Sequence, residues 1–399
     1  MDIQRETQTS KKRAISLDLA RGWMLLLIVL AHAPLFLYNA EPGVMSRPEN
    51  ITFIDTIVNT FGELFIDNRA RPLFAVLFGY GLMMIFEKQI LRGNSQKAAL
   101  KTIRRRCWYL ILFGIIFAVV IGGQDILMAY GIAGLLTAWL LPRNNKALIK
   151  VTIFITLIIL LYLPLLWGVF LKEMGSYGFG VEVTPDIGYL QFFIEAALSF
   201  PIIPIFIHFL FPVLPSVLIG MWAGKKHLLV NSQQHHKTLK KIAVIGIMTS
   251  IIGAFPLLMI DKVWWPSLQT AGIIWGLHII TGMAAGIGYA ALFGVIANYI
   301  KNPGWLTYSL AALGKRSLTF FIFNEALLVI LLSPVFFDLG GTLDNIGVTI
   351  IAIAIWIVAV VLAAVLEKLC MNGPLESAMR YLAYQKYKEN PEKQKGVKY

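Results

Sequence analysis

The sequence predicts an all-α, polytopic integral membrane protein with about ten transmembrane helices and both termini in the cytoplasm. Composition is the first observation behind this prediction. Of the 399 residues, 57% are hydrophobic and only 14% are charged, whereas about 25% of residues are charged in an ordinary soluble domain. The second observation is that the apolar residues form stretches near the length, about 20 residues, that a helix needs to cross a bilayer. The third is an uneven distribution of basic residues around these stretches, which sets their orientation.

Ten apolar segments are predicted to span the membrane. In chain order they cover residues 16–38, 71–88, 107–122, 126–141, 147–171, 197–223, 242–260, 270–299, 317–334 and 346–367. With the N-terminus inside and the first segment counted to Arg21, 30 of the 35 Lys and Arg residues are cytoplasmic and 5 are outside, as the positive-inside rule requires. We therefore expect one helical domain over 1–388 and a charged cytoplasmic tail over 389–399, in a bacterial plasma membrane.

Charge and cysteine content exclude other classes of protein. The net charge of +13 would suit nucleic acid, but basic residues that flank apolar spans are typical of cytoplasmic loops, so membrane lipids are the expected surroundings. Two cysteines, Cys107 and Cys370, provide neither a disulfide framework nor a metal-ligand cluster. No metal site is predicted, and the sequence leaves open whether the chain forms a homo-oligomer.

Three further patterns concern the shape of the bundle. The outer segment 39–70 is predicted to contain an amphipathic helix at the membrane surface, because apolar residues recur there at near-helical spacing: Ile51, Ile54, Ile57, Val58, Phe61 and Phe65. The sixth span contains four prolines, which are expected to kink it and either bend a packing helix or line a cavity. The eighth span contains Gly282 and Gly286 in a GxxxG pattern, which favours close helix packing.

Ionisable residues inside a span are costly and are therefore candidate site residues. They are His32, His208, His278 and Glu325. His32 follows Arg21 by eleven residues, which at 100° per residue places both side chains on one helix face, about 16 Å apart along the axis. Such a pair could bind the phosphates of a cytoplasmic cofactor at one end and act on its reactive group at the other. Coenzyme A has this extended form, and a neutral imidazole could deprotonate an acceptor as it attacks an acyl thioester. The alternatives are a hydrogen-bonded packing histidine and an arginine anchored at the interface.

Several motifs resemble known membrane acyltransferases. The run LDLARG ending at Gly22, followed by VLAH ending at His32, resembles the Arg-x10-His opening of acyltransferase-3 proteins. Closer still is the resemblance to the DUF418 (YeiB-like) family, which is grouped with heparan-α-glucosaminide acetyltransferases in a transmembrane acyltransferase superfamily. The run DNRARPLFAVLFGYG at 67–81, the arginines at 104–106 and the run GPLE at 373–376 are similar to parts of these proteins.

The resemblance implies a site that uses acyl-CoA, for example acetyl-CoA, as the donor. It implies that His32 is the catalytic base and that Arg21, Arg104, Arg105 and Arg106 bind the donor. The heparan acetyltransferases place their catalytic histidine in the outer segment before the second span. This chain has no histidine between His32 and His208, so the role falls to His32.

Two polar groups are predicted to support the site. Glu63, Asp67, Arg69 and Arg71 precede the second span, where a carboxylate such as Glu63 could orient an imidazole or bind acceptor hydroxyls, or the group could simply anchor the helix. Asn324 and Glu325 lie inside the ninth span, where Glu325 could pair with an arginine or relay a proton.

The sequence therefore leaves three hypotheses. The first is a membrane acyltransferase that moves an acyl group from cytoplasmic acyl-CoA to a glycan, lipid or small metabolite reached from the outer side. The second is a secondary transporter, in which Glu325, His32 and the Pro-broken sixth span form a coupled pathway. The third, a structural scaffold, leaves the Arg21 and His32 pair unexplained.

Overall fold

A computed structural model describes residues 2–38, 43–48, 52–123, 125–178, 188–199 and 203–384. The predicted tail 389–399 lies outside these residues. So do Ile51, of the apolar pattern in 39–70, and Pro201, the first of the four prolines in the predicted sixth span. Within them the chain is built from fifteen α-helices joined by turns and short 3-10 segments, so the all-α class is confirmed.

The fifteen helices are named here in chain order. They are α1 Asp2–His32, α2 Phe53–Phe65, α3 Ala70–Leu91, α4 Gln96–Val120, α5 Leu127–Thr137, α6 Asn145–Met174, α7 Tyr189–Ser199, α8 Ile203–Leu210, α9 Leu214–Lys225, α10 His236–Met259, α11 Leu268–Tyr299, α12 Trp305–Lys315, α13 Ser317–Leu332, α14 Asn345–Lys368 and α15 Pro374–Tyr384.

Six segments of the described chain are long and apolar enough to cross a membrane: Ile15–Phe36, Phe53–Leu91, Asn145–Met174, His236–Met259, Leu268–Tyr299 and Asn345–Lys368. Two shorter apolar helices, Leu127–Leu140 and Ser317–Leu332, fall on the predicted fourth and ninth spans. The third span lies in α4, where the arginines at 104–106 shorten the apolar part. The membrane class therefore stands, and the count of ten spans stays a prediction.

The predicted sixth span, 197–223, is not one helix. α8 ends at Leu210 and α9 begins at Leu214, and Pro212 and Pro215 lie at and just after the break. A proline has no backbone N–H to donate and its ring clashes with the preceding turn. The prolines therefore interrupt this helix where the sequence predicted only a kink.

The segments 89–106 and 224–241, which connect predicted spans, are also more helical than the spans predict. α3 continues to Leu91 and α4 begins at Gln96, so most of 89–106 is helical and only 92–95 connects the two helices. Ser95 caps α4 by accepting a hydrogen bond from the Ala98 N–H. The arginines at 104–106 consequently lie in the third turn of a helix that begins well before the predicted span.

Segments predicted to share one side of the membrane contact one another. At one end, Lys225 donates to the Arg143 carbonyl, Arg105 to the Leu382 carbonyl and Ser16 to the Leu229 carbonyl. We call this the basic end, defined by 92–95 and 226–235. At the opposite end, Asn345 donates to Asn59 and Tyr177 to the Pro266 carbonyl.

The GxxxG pattern of α11 is a packing feature. A Cβ on Gly282 would lie 2.6 Å from the Asn68 carbonyl oxygen, and one on Gly286 would lie 2.6 Å from the Leu73 nitrogen. Only glycine permits this approach, which places the start of α3 directly on α11. The start of α3 carries Arg69 and Arg71, so this contact brings two candidate site residues into the bundle.

The predicted amphipathic helix exists as α2, and its polar face is the buried one. Phe53, Ile54, Ile57 and Phe61 are exposed, while Asp55, Asn59 and Glu63 are buried. The polar residues recur every four positions and so form one stripe along the helix. Because a lipid surface accepts apolar side chains, this inversion is the arrangement expected of a helix whose outer face meets a membrane.

Candidate functional site: a histidine–glutamate pair inside the bundle

The pair of His32 and Glu325 is the main polar contact within the predicted spans. His32 Nδ1 lies 2.9 Å from Glu325 Oε2, and the two side chains are 12% and 0% exposed. α1 ends at His32 because Pro34 opens the 3-10 turn that follows, where a proline cannot continue the helical hydrogen-bond ladder. The sequence named both residues and expected an arginine as one partner of Glu325. The partner in the structure is the histidine.

The surroundings of this pair contain unused hydrogen-bonding atoms. Glu325 Oε1 and both side-chain heteroatoms of Asn324 are buried without a hydrogen-bond partner. Such atoms are rare in folded proteins and usually indicate a bound water, an ion or a ligand. Glu325 therefore keeps a second acceptor atom next to His32, and Asn324, its neighbour in α13, keeps a donor and an acceptor.

A second carboxylate lies near Glu325. Asp125 precedes α5 and accepts hydrogen bonds from the Leu127 and Met128 N–H groups at 2.9 and 3.0 Å. Burial raises the pKa of Asp125 to about 6, the two N–H groups oppose that shift, and the charge of Glu325 adds to it. Asp125 therefore caps the start of α5, and its proximity to Glu325 was not predicted from the sequence.

The residues predicted to bind the donor have different partners. Arg21 lies 3.5 Å from Asp18, one turn earlier on α1, with its side chain 27% exposed. Arg105 donates to the Leu382 carbonyl of α15 at 2.9 Å, and Arg104 is exposed to solvent. Arg21 and Arg105 thus contact different helices at the basic end, and a joint anion site made of both stays a prediction.

The polar group before the second span divides into separate contacts. Arg47, which the sequence analysis did not select, binds Asp67 through Nε and Nη2 at 2.6 and 2.9 Å. Arg69 is fully buried, 3.2 Å from His278 Nε2, and also donates to the Asp67 and Ser250 carbonyls. The guanidinium of Arg71 lies over the Phe211 ring at 4.1 Å from its centroid.

The carboxylate that touches the His32 imidazole is Glu325, a pairing that the sequence did not predict. Glu63 lies on α2 and is buried beside Arg47, and its role as a catalytic carboxylate stays a prediction. The sequence does hold a signal for Arg47 as a candidate site residue, because it is one of only 5 basic residues among the predicted outer segments.

The fold and these contacts define a multi-helix membrane protein that carries ionisable side chains inside its apolar bundle. Residues 223–386 match the model of the family described as protein of unknown function (DUF418). The matched segment begins in the last turn of α9 and includes all of α15. This segment includes Asn324 and Glu325, whereas Arg21 and His32 lie outside it.

A similar protein is known from Bacillus acidopullulyticus. It is described as an uncharacterized 39.9 kDa protein in the amylase 3′ region. The two chains are 24% identical over 390 residues, and the similarity covers 94% of each. The likeness therefore runs along nearly the whole chain.

Proposed function

We propose that this protein is a membrane-embedded acyltransferase in which His32 is the general base and Glu325 holds its imidazole. The observation that carries the proposal is the 2.9 Å contact between Nδ1 and the buried carboxylate. A carboxylate that accepts the Nδ1 proton fixes the tautomer in which Nε2 is free to accept a proton. The resemblance of the Arg-x10-His motif to acyltransferase-3 proteins supports the same reading.

The proposed reaction moves an acyl group from acyl-CoA to a hydroxyl or amine of the acceptor. Nε2 of His32 removes a proton from the acceptor as its oxygen or nitrogen attacks the thioester carbonyl. The new C–O or C–N bond forms, the C–S bond breaks, and the proton passes from the imidazolium to the departing thiolate. Glu325 stabilises the imidazolium between these two transfers.

The proposal includes an orientation. Both termini face the cytoplasm of a bacterial plasma membrane and ten segments cross it, because this arrangement places 30 of the 35 Lys and Arg residues inside. The donor then enters at the basic end, near Arg21 and the arginines at 104–106, and the acceptor enters from the opposite end.

Native Cys370 tests this orientation. Cys370 is exposed in the turn after α14, at the basic end, whereas Cys107 is buried. We expect a membrane-impermeant maleimide to leave Cys370 unlabelled in intact cells and to label it after permeabilisation. A Lys262→Cys variant in a Cys370→Ser background is the control, and it should be labelled from outside. Labelling of Cys370 in intact cells would reverse the orientation and the donor side.

Binding of acetyl-CoA to the detergent-purified protein tests the donor. Arginine side chains match phosphate oxygens, so replacing Arg104, Arg105 and Arg106 together by Gln should weaken binding at least tenfold and reduce its dependence on salt. Replacing Lys237, Lys240 and Lys241 by Gln removes the same charge from α10 and is the matched control. If wild-type protein does not bind acetyl-CoA or longer acyl-CoAs at about 1 mM, the proposal fails.

A secondary transporter is the second candidate. The observation that favours it is the break between α8 and α9 at 211–213, because transporters form substrate sites from interrupted helices. In that case Glu325 and His32 would relay a proton coupled to substrate movement. Uptake into vesicles that depends on a proton gradient, without any acyl-CoA turnover, would favour the transporter.

A further inference from the structure

A polar cavity of about 400 Å³ opens at the end opposite the basic one. Its wall is formed by Thr56, Asn59 and Glu63 of α2, by residues 43–48 and by the end of α10 with the turn that follows it. The end of α10 is far along the chain from the other two segments, and α2 separates the cavity from the lipid-facing surface that Phe53, Ile54, Ile57 and Phe61 form. The volume is within the range of about 300–1,000 Å³ typical of ligand sites.

Glu63 supplies an unused acceptor in this cavity. Its side chain lines the wall, the residue is only 5% exposed, and its Oε2 is buried without a hydrogen-bond partner. Its neighbour in the stripe, Asn59, is engaged by donating to the Pro48 carbonyl and accepting from Asn345. A buried acceptor without a donor costs free energy, and a ligand with a donor group would remove this cost.

The charges around Glu63 decide what kind of donor fits. Arg47, Arg69 and Lys262 contribute three positive charges to its surroundings and Asp67 contributes one negative charge. Burial raises the pKa of Glu63 to about 7, so Glu63 adds a second negative charge when it is ionised. With Asp261, which also lines the cavity, the total is then three against three. An anionic ligand would meet the carboxyl groups of Glu63 and Asp261 on the wall, and a cationic ligand would meet Arg47 and Lys262. A neutral group that both donates and accepts hydrogen bonds is complementary to this balance.

We infer that the cavity binds a neutral polyhydroxylated group, one of whose hydroxyls donates to Glu63 Oε2. Other hydroxyls accept from Lys262, which lines the cavity together with Asp261. Such a group is either the headgroup of a lipid or a free sugar or polyol. This inference does not depend on acyl transfer, because it concerns binding alone and applies equally to an enzyme and a transporter.

Protection of a cysteine in the cavity wall tests the inference on the full chain. Thr56 lines the cavity, so Thr56→Cys in a Cys370→Ser background reports occupancy through its rate of reaction with a maleimide. The protein is kept in a zwitterionic detergent without hydroxyl groups. The probes are maltose, dodecyl maltoside, choline and inorganic phosphate. We expect maltose or dodecyl maltoside to slow the labelling, and choline and phosphate to leave it unchanged.

The two supporting outcomes distinguish the source of the group. Protection by dodecyl maltoside alone indicates a lipid-linked headgroup, and equal protection by maltose indicates a free ligand. Adding Glu63→Gln should raise the concentration needed for half protection at least tenfold, because a hydrogen bond to an ionised acceptor is about twice as strong as one to a neutral amide. Asp55→Asn changes a buried carboxylate of the same helix that does not line the cavity, and should have no such effect.

The inference is overturned by any of three results. The first is that neither maltose nor dodecyl maltoside protects the cysteine. The second is that choline or phosphate protects it and the two sugars do not. The third is equal protection in the folded Glu63→Gln variant. Loss of acyl-CoA binding or of transfer would not bear on this result, since the labelling experiment uses neither donor nor turnover.

Discussion

Replacing His32 by Ala is expected to lower acyl transfer by a factor of about 10²–10⁴, the usual contribution of a positioned general base. Donor binding should change little, since the imidazole acts on the acceptor proton. The measurement is transfer of a radiolabelled acetyl group from acetyl-CoA by purified protein in lipid nanodiscs. His235→Ala, in the turn before α10, is the matched control and should transfer at the wild-type rate.

Replacing Glu325, the partner of His32, tests whether the pair acts in catalysis or only in the stability of the fold. Glu325→Gln keeps the size of the side chain but removes the charge that stabilises the imidazolium, so it should lower transfer strongly and leave donor binding unchanged. Because His32 and Glu325 act as a unit, the double variant should be little worse than His32→Ala alone. If the well-folded His32→Ala protein transfers at the wild-type rate, His32 is not the base and the transporter hypothesis gains.

Replacing Arg47 by Ala is expected to destabilise the fold by about 3–5 kcal/mol, the typical cost of removing one partner from a buried ion pair. The side chains of Arg47 and Asp67 are 5% and 13% exposed, and the two hydrogen bonds between them connect residues 43–48 to the segment that precedes α3. Without the guanidinium, the Asp67 carboxylate keeps its buried position without its counter-ion. Thermal unfolding of the variant in detergent measures the loss.

A double replacement provides the control for this prediction. Arg47→Met with Asp67→Leu removes both charges and fills similar volume, and such replacements are often neutral. The double variant should therefore be more stable than Arg47→Ala. If Arg47→Ala unfolds at the wild-type temperature, the pair contributes little and the segment 43–48 is positioned by other contacts.

Local sequence patterns predicted most of the helices because helix formation depends on nearby residues. Apolar stretches of about 20 residues mark the long helices, whereas the start of α4 after Ser95 lies well before the predicted third span. The same patterns were less informative at the sixth span. There the total hydrophobicity indicates one span, while the positions of Pro212 and Pro215 within the packed bundle decide that the helix breaks into α8 and α9.

The inverted face of α2 shows where a local pattern is ambiguous. The spacing of its apolar residues predicted an amphipathic helix, and the helix is present. Spacing cannot tell whether the apolar or the polar face is buried, because that depends on what the helix contacts. Here α2 packs its polar stripe against residues 43–48 and the start of α14, where Asn59 meets Asn345, and the apolar side chains remain outside.

The sequence alone determined the class of this protein, the positions of most helices, and the presence of Arg21 and His32 on one face of α1. It also selected Glu325, since a carboxylate inside an apolar span is rare enough to be noticed. Only the tertiary structure decided that Glu325 pairs with His32 and that Asp67 pairs with Arg47. His32 and Glu325 are 293 residues apart in the chain, and their contact depends on how α1 and α13 pack. Helical periodicity fixes the direction of each side chain about its own axis, but the partner it meets is set by the positions of other helices, which no local pattern contains.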